Sequence, residues 1–212
     1  CDRVMVGHEK PVLCVSADWS NWPESGYAIS GSLDHSLAHW DMRNCVWLAK
    51  MEGHTGAVSC LEVNWETSRA LSGSYDYDLR LWDIQERECI RTLKGHTNAV
   101  CSISVDWANG RAMSAAADNT VRLWDLETGD CIEKLIGHTG PVWAVSMEEG
   151  GKRAASGSAD RHVMVWDMTC NECIRAMLHH QKAVACINVD WPTSQAMSSS
   201  VDRTLLLWDL EA

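Results

Sequence analysis

Phenylalanine is absent from the 212 residues, and tyrosine occurs three times. The large-aromatic role falls to 12 tryptophans, each able to remove on the order of 150–250 Å² from water when buried. No run of about 18 apolar residues is present, so nothing reads as a membrane-spanning helix. No charged n-region followed by an apolar core opens the chain, so no secretory signal is legible. Basic residues are in deficit: 18 Lys and Arg stand against 29 Asp and Glu, a formal charge of −11. That balance argues against a nucleic-acid partner, whose affinity comes from clustered Lys and Arg, and favours a basic peptide over an acidic one. A compact, soluble, cytoplasmic domain is expected, long enough to bury a real core. Cys1 in place of Met implies a piece of a longer polypeptide.

What the chain does contain is a repeat. Trp-Asp pairs stand at Trp40-Asp41, Trp82-Asp83, Trp124-Asp125, Trp166-Asp167 and Trp208-Asp209, 42 residues apart. Gly-His stands at Gly7-His8, Gly53-His54, Gly95-His96 and Gly137-His138, with His179-His180 in the last copy. A fixed period opened by Gly-His and closed by Trp-Asp resembles the WD40 repeat, and the resemblance covers the whole chain. It implies an all-β WD40 β-propeller of five four-stranded blades, either a closed five-blade ring or an arc of a larger, about seven-bladed ring. Repeats are expected at approximately 7–52, 53–94, 95–136, 137–178 and 179–212, with residues 1–6 a strand of a neighbouring or the last blade.

Short β-branched runs bounded by Gly, Asp and Asn place first strands at Val12–Ala17, Val58–Asn64, Val100–Asp106 and Val142–Met147. The first unit continues near Tyr27–Gly31, Leu37–Trp40 and Cys45–Met51, and the last runs from Val184 through Ser198 and Leu205 to Ala212. Cys1–Val6 aligns with Cys89–Lys94 and reads as a twentieth strand, able to lie beside Leu205–Trp208 and close a five-bladed ring. Three features depart from the repeat. The loop Asp18–Gly26 is four residues longer than its counterparts. After the first strand, a family segment resembling Phe-Ser-Pro-Asp-Gly is replaced by runs such as Val105-Asp106-Trp107-Ala108. His39 takes the place of Leu81, Leu123, Val165 and Leu207, and reads as a hydrogen-bonded core histidine.

The ten cysteines fall short of a disulfide scaffold. Cys1, Cys45, Cys89, Cys131 and Cys173 share one phase of the repeat, and Cys14, Cys60 and Cys186 another, which reads as reduced, buried structural thiols. Cys170-x-x-Cys173 with His179 and His180 loosely resembles a zinc spacing. The strand between them would hold Cys173 and His179 roughly 20 Å apart, so no metal or other cofactor is expected.

Every unit also pairs a His with a Ser, an Asp four residues later and a Trp six further on. The sets are His8, Ser30, Asp34, Trp40; His54, Ser72, Asp76, Trp82; and His96, Ser114, Asp118, Trp124. The other two are His138, Ser156, Asp160, Trp166 and His180, Ser198, Asp202, Trp208. Ser, His and Asp could make a nucleophilic triad, but a nucleophile needs one exposed site beside an oxyanion hole, not five equivalent copies. The resemblance implies instead a structural tetrad in which Trp donates to Ser, Ser contacts His, and His contacts Asp.

Function is then expected on a surface. The resemblance places binding at the Gly-His loops and the turns between second and third strands. It puts Leu13, Ser59, Cys101, Trp143 and Ala185 there, with Leu33, Tyr75, Ala117, Ala159 and Val201. Trp143 and Tyr75 are the protruding aromatics, the residue types that most often anchor interfaces. His35, Tyr77, Asn119, Arg161 and Arg203 would surround them with polar groups. The leading expectation is a non-enzymatic protein- or peptide-binding scaffold within a larger regulatory or signalling protein. A propeller-based enzyme, or a sensor domain attached to a catalytic domain outside this chain, stays open.

Overall fold

The computed structural model describes residues 3–20, 22, 24 and 26–211. Among them are 19 β-strands in five antiparallel sheets, four of four strands and one of three. The first sheet comprises β1 (Val12–Ala17), β2 (Tyr27–Ser32), β3 (Leu37–Asp41) and β4 (Val46–Met51). The second comprises β5 (Val58–Asn64), β6 (Arg69–Ser74), β7 (Leu79–Asp83) and β8 (Glu88–Leu93). The third comprises β9 (Val100–Asp106), β10 (Arg111–Ala116), β11 (Thr120–Asp125) and β12 (Cys131–Ile136). The fourth comprises β13 (Val142–Met147), β14 (Arg153–Ser158), β15 (His162–Asp167) and β16 (Glu172–Leu178). The last comprises β17 (Val184–Asp190), β18 (Gln195–Ser200) and β19 (Leu205–Asp209). Strands pair in chain order within each sheet. Among the described residues no helix is long and apolar enough to cross a membrane.

The chain divides into two compact units, Cys1–Lys94 with two sheets and Gly95–Ala212 with three. Within each unit, burial of sheet faces forms the core. The second strand of each of the first four sheets is buried beyond its first residue and carries mostly small residues: Ala112, Ser114, Ala115 and Ala116 of β10 are all fully buried. The first strand of a following sheet lays its apolar residues on the sheet before it. In the first unit, Val58 of β5 clusters with Ile29 of β2 and Leu37 of β3. In the second, Val142 and Val145 of β13 cluster with Met113, Val121 and Leu123, and Val184 and Ile187 of β17 with Ala155, Val163 and Val165. At Gly157 of β14 the sheets come so close that an added Cβ would lie 2.6 Å from Val184 Cγ1. Two serines of β9 add polar ties: Ser102 Oγ accepts from Val145 N at 3.3 Å, and Ser104 Oγ from Met147 N at 3.1 Å.

Two kinds of bulge recur. The pairing of first and second strands skips Leu13, Ser59, Cys101, Trp143 and Ala185. The pairing of third and fourth strands skips Leu48, Ile90, Ile132 and Ile174. A bulged residue is left out of the ladder and its strand twists more strongly there.

Several expectations are corrected. Cys1 and Asp2 lie outside the described residues, and Arg3–Val6 form no strand. Arg3 donates instead to the carbonyl of Arg43, and Val4 and Val6 face solvent, so this segment is held at a turn and joins no ladder. The last sheet accordingly has three strands, and Ala212 lies outside the described residues. The nine described cysteines form no disulfide with one another, and none is fully buried. Cys89, Cys131 and Cys173 stand at the start of outer strands, where their thiols bond the carbonyls of Arg91, Glu133 and Arg175 at 3.2–3.3 Å. Among the described residues His39 has no hydrogen-bond partner at either ring nitrogen. It packs on the Tyr27 ring at 5.5 Å, and burial with the nearby Arg87 charge keeps its pKa low.

Candidate functional site

The turn joining second and third strands has one geometry in all five sheets. In the first, Ser32 N donates to Ser36 O and His35 N to Ser32 O, each at 3.2 Å, and His35 is left-handed with φ 74°. Tyr77, Asn119, Arg161 and Arg203 repeat this at φ 77°, 69°, 77° and 73°. A left-handed residue is what a type I turn needs before rejoining a strand, and a side chain larger than glycine makes it locally unfavourable. The turns are fixed to the entry loops. Leu33, Tyr75, Ala117, Ala159 and Val201 donate their N–H groups to the carbonyls of Pro11, Ala57, Ala99, Pro141 and Ala183 at 2.8–3.0 Å.

Behind each turn a Trp, Ser, His and Asp are joined in series. Trp124 Nε1 donates to Ser114 Oγ at 2.8 Å, Ser114 Oγ lies 2.6 Å from His96 Nε2, and His96 Nδ1 lies 2.8 Å from Asp118 Oδ2. The other four sets have the same bonds at 2.7–2.9 Å. Each carboxylate also accepts the backbone N–H following its histidine: Glu9, Thr55, Thr97, Thr139 and Gln181, at 2.8–3.0 Å. The glycine before the histidine follows from the same packing, since a Cβ on Gly95 would lie 3.1 Å from Trp124 Cη2. His179 replaces that glycine in the last copy, where Trp208 is only half-buried and meets the His179 ring edge-on at 6.1 Å.

The charge state is fixed by the surroundings. Burial would raise the pKa of Asp118, but bonds from His96, Thr120 and Thr97 N outweigh it and hold the carboxyl well below the usual carboxylate range. Asp34 and Asp76 are held low by the same opposition. Burial lowers the pKa of His96 and His138 against the pull of Asp118 and Asp160. In these two sets a neutral histidine therefore donates from Nδ1 to a charged aspartate, and its Nε2 accepts from the serine hydroxyl. The position two residues after the aspartate varies. Ser36 donates to Asp34 at 2.5 Å and Thr120 to Asp118 at 2.7 Å. Asp78 there has its pKa raised by burial and by the charge of Asp76.

The surface candidates fall in both units. In the first, Tyr75, Tyr77, His35, Leu13 and Leu33 are exposed and Ser59 is half-buried. In the second, Trp143 is 37 % exposed. Arg161, Arg203, Val201 and Ala185 are exposed as well, while Asn119, Cys101, Ala117 and Ala159 are half-buried. Two cavities escape reading from the repeat. One of about 490 Å³ in the first unit is lined by Met5, Trp19, Trp22 and Met42, with Trp19 and Trp22 edge-to-face at 5.6 Å. The two tryptophans inside the lengthened loop were its available signal. One of about 550 Å³ in the second unit is lined by Val105, Glu148, Glu149, Trp191 and Pro192. Arg153 lies 5.4 Å over the Trp191 ring and pairs with Glu148 at 3.0 Å. Its wall joins residues from three sheets, which no single repeat displays. Among the described residues no three His, Cys, Asp or Glu side chains gather as a metal site.

A family model described as "WD domain, G-beta repeat" matches residues 1–41, 45–83, 87–125, 129–167 and 171–209. No curated protein matches the chain.

Proposed function

The chain belongs to the WD40 family, whose repeats serve generally as protein-interaction scaffolds, and from that premise we propose that it is a non-enzymatic binding module for a protein or peptide, cytoplasmic and part of a larger regulatory or signalling protein. The observation that carries this reading is the bulge at Trp143. The β13–β14 ladder passes over this residue, so its side chain is released from sheet packing at the end where the turn Ser158–His162 is tied to Pro141. An exposed tryptophan on a strand, at the end whose turn offers Arg161, has the make-up of an interface anchor with polar surroundings, and Arg203 stands at the equivalent turn of the next sheet. Asn119 adds an amide at the equivalent turn of the preceding sheet. In the first unit Tyr75, Tyr77 and His35 supply a corresponding set.

The partner proposed is net basic, drawn by the charge of −11, and presents carbonyl or carboxylate oxygens to Arg161 and Arg203. Catalysis by the repeated Ser-His-Asp sets is disfavoured by burial: Ser72, Ser114, Ser156 and Ser198 are inaccessible and already bonded to Trp and His. The test is capture of a partner by the intact protein compared with Trp143→Ala and Tyr75→Ala. Each should weaken binding by at least about 2 kcal/mol, roughly 30-fold, with the melting temperature unchanged. Undiminished binding by both variants would move the site elsewhere.

A further inference from the structure

The cavity of about 550 Å³ in the second unit lies at the far end of β13 from Trp143. From Trp143 to Met147 in its wall the strand runs about 13 Å. The apolar lining comes from Val105 of β9, Met147 of β13, Val189 of β17, and Trp191 and Pro192 in the turn that follows β17. Three carboxylates, Glu148, Glu149 and Asp190, share the wall. Hydrogen-bonded turns hold them. Glu148 N donates to Arg153 O and Gly151 N to Glu148 O, each at 2.9 Å, while Gly150 N reaches Asp106 Oδ2 of the preceding sheet at 3.1 Å. Thr193 Oγ1 donates to Asp190 Oδ2 at 2.7 Å across the turn that carries Trp191.

Arg153 ties the two turns together. Its Nε and Nη2 donate to the two oxygens of Glu148 at 3.1 and 3.0 Å, Nη1 donates to Ser194 Oγ at 3.1 Å, and its guanidinium covers the Trp191 ring. That cation is fully engaged in the wall, where it answers the charge of Glu148. Glu149 and Asp190 are exposed, and among the described residues neither has a basic partner. The charge left over in a largely apolar cavity is therefore negative. Among the described residues the carboxylates do not gather closely enough to chelate a metal ion. A guanidinium fits better, because it is planar and weakly hydrated, lies on aromatic and apolar faces and donates to carboxylates at the same time. Arg153 on Trp191 and Glu148 already shows that combination in this wall. We propose that the cavity receives an arginine side chain of a partner polypeptide, its stem against Val105, Met147 and Val189 and its guanidinium at Glu149 and Asp190. A volume of this size also takes part of the flanking residues. The site stands apart from Trp143 and does not depend on that anchor.

The test is calorimetric titration of the unaltered chain with the blocked peptide acetyl-Gly-Arg-Gly-amide. A second peptide carries citrulline in place of arginine, which keeps the shape and removes the charge. The arginine peptide should bind saturably, and the citrulline peptide at least about tenfold more weakly. Glu149→Gln and Asp190→Asn should each weaken the arginine peptide about two- to fivefold, as exposed ion pairs do, and together about tenfold, with the melting temperature unchanged. Absence of saturable binding, equal binding of the citrulline peptide, or full affinity in the double variant would overturn the proposal. Loss of arginine-peptide binding in Trp143→Ala would place the arginine at the other end of β13 and overturn it too. Free arginine binding as tightly as the peptide would overturn a polypeptide source.

Discussion

At the scale of single residues, the Trp-Ser-His-Asp series links packing to hydrogen bonding. Trp124 is fully buried, so Trp124→Ala should cost about 3–5 kcal/mol, as other large-to-small core changes do. Ser114→Ala should cost less, about 1–3 kcal/mol, by stranding a donor on Trp124 and an acceptor on His96. Chemical denaturation measures both, and a Ser114→Ala protein that keeps its denaturation midpoint while losing partner binding would contradict a structural role. The same series fixes the response to acid. The folded pKa values of His96 and His138 lie below 6.5, so between the folded and unfolded values only the unfolded chain holds the proton. The stability this confers is complete above about pH 6.5 and falls as pH drops through that window. The depressed carboxyls of Asp34, Asp76 and Asp118 add a second loss below their ordinary 3.8. The urea midpoint should therefore be lower at about pH 5 than at about pH 7.5, and equal midpoints would rule this linkage out. Much of this scale was legible, because the four residue types recur at fixed offsets. His39 and the cysteines were not. Whether a histidine finds a partner depends on what faces it across strands, here the Tyr27 ring and Arg87 in place of an acceptor.

At the scale of strands and turns, the positions of β1, β5, β9 and β13 were readable because β-branched residues cluster between Gly, Asp and Asn. The bulges were not, since a bulge is a property of two strands and shows only in their pairing. Close approach between sheets was likewise hidden, and it yields a sharp expectation at Gly157. A methyl group there would press on Val184 Cγ1, a branched side chain itself fully buried, so one strand must move. Gly157→Ala should cost about 1–3 kcal/mol, as overpacking does. An unchanged thermal midpoint would show that the two sheets yield without strain.

At the scale of the whole molecule, the period alone reported five sheets of one pattern, because each Trp-Asp closes a third strand and each Gly-His opens a new entry. The same logic overreached at the beginning of the chain. Arg3–Val6 resembles Arg91–Lys94 in sequence, yet a strand exists only where a neighbour offers an unpaired edge, and here Arg3 is engaged at the turn of Arg43. Likeness to a strand is a statement about side chains, whereas being one is a statement about hydrogen bonds to someone else.

The five bulges at the start of the first strands carry a consequence of another kind. Leu13, Ser59, Cys101, Trp143 and Ala185 occupy one slot in a strict pattern, yet differ in size, polarity and chemistry. The ladder on either side keeps its register whatever stands there, because the slot is already excluded from pairing. Each sheet thus holds one letter that can be rewritten without disturbing the grammar around it. A lineage changing these letters one at a time could alter what the protein recognises while inheriting the fold intact.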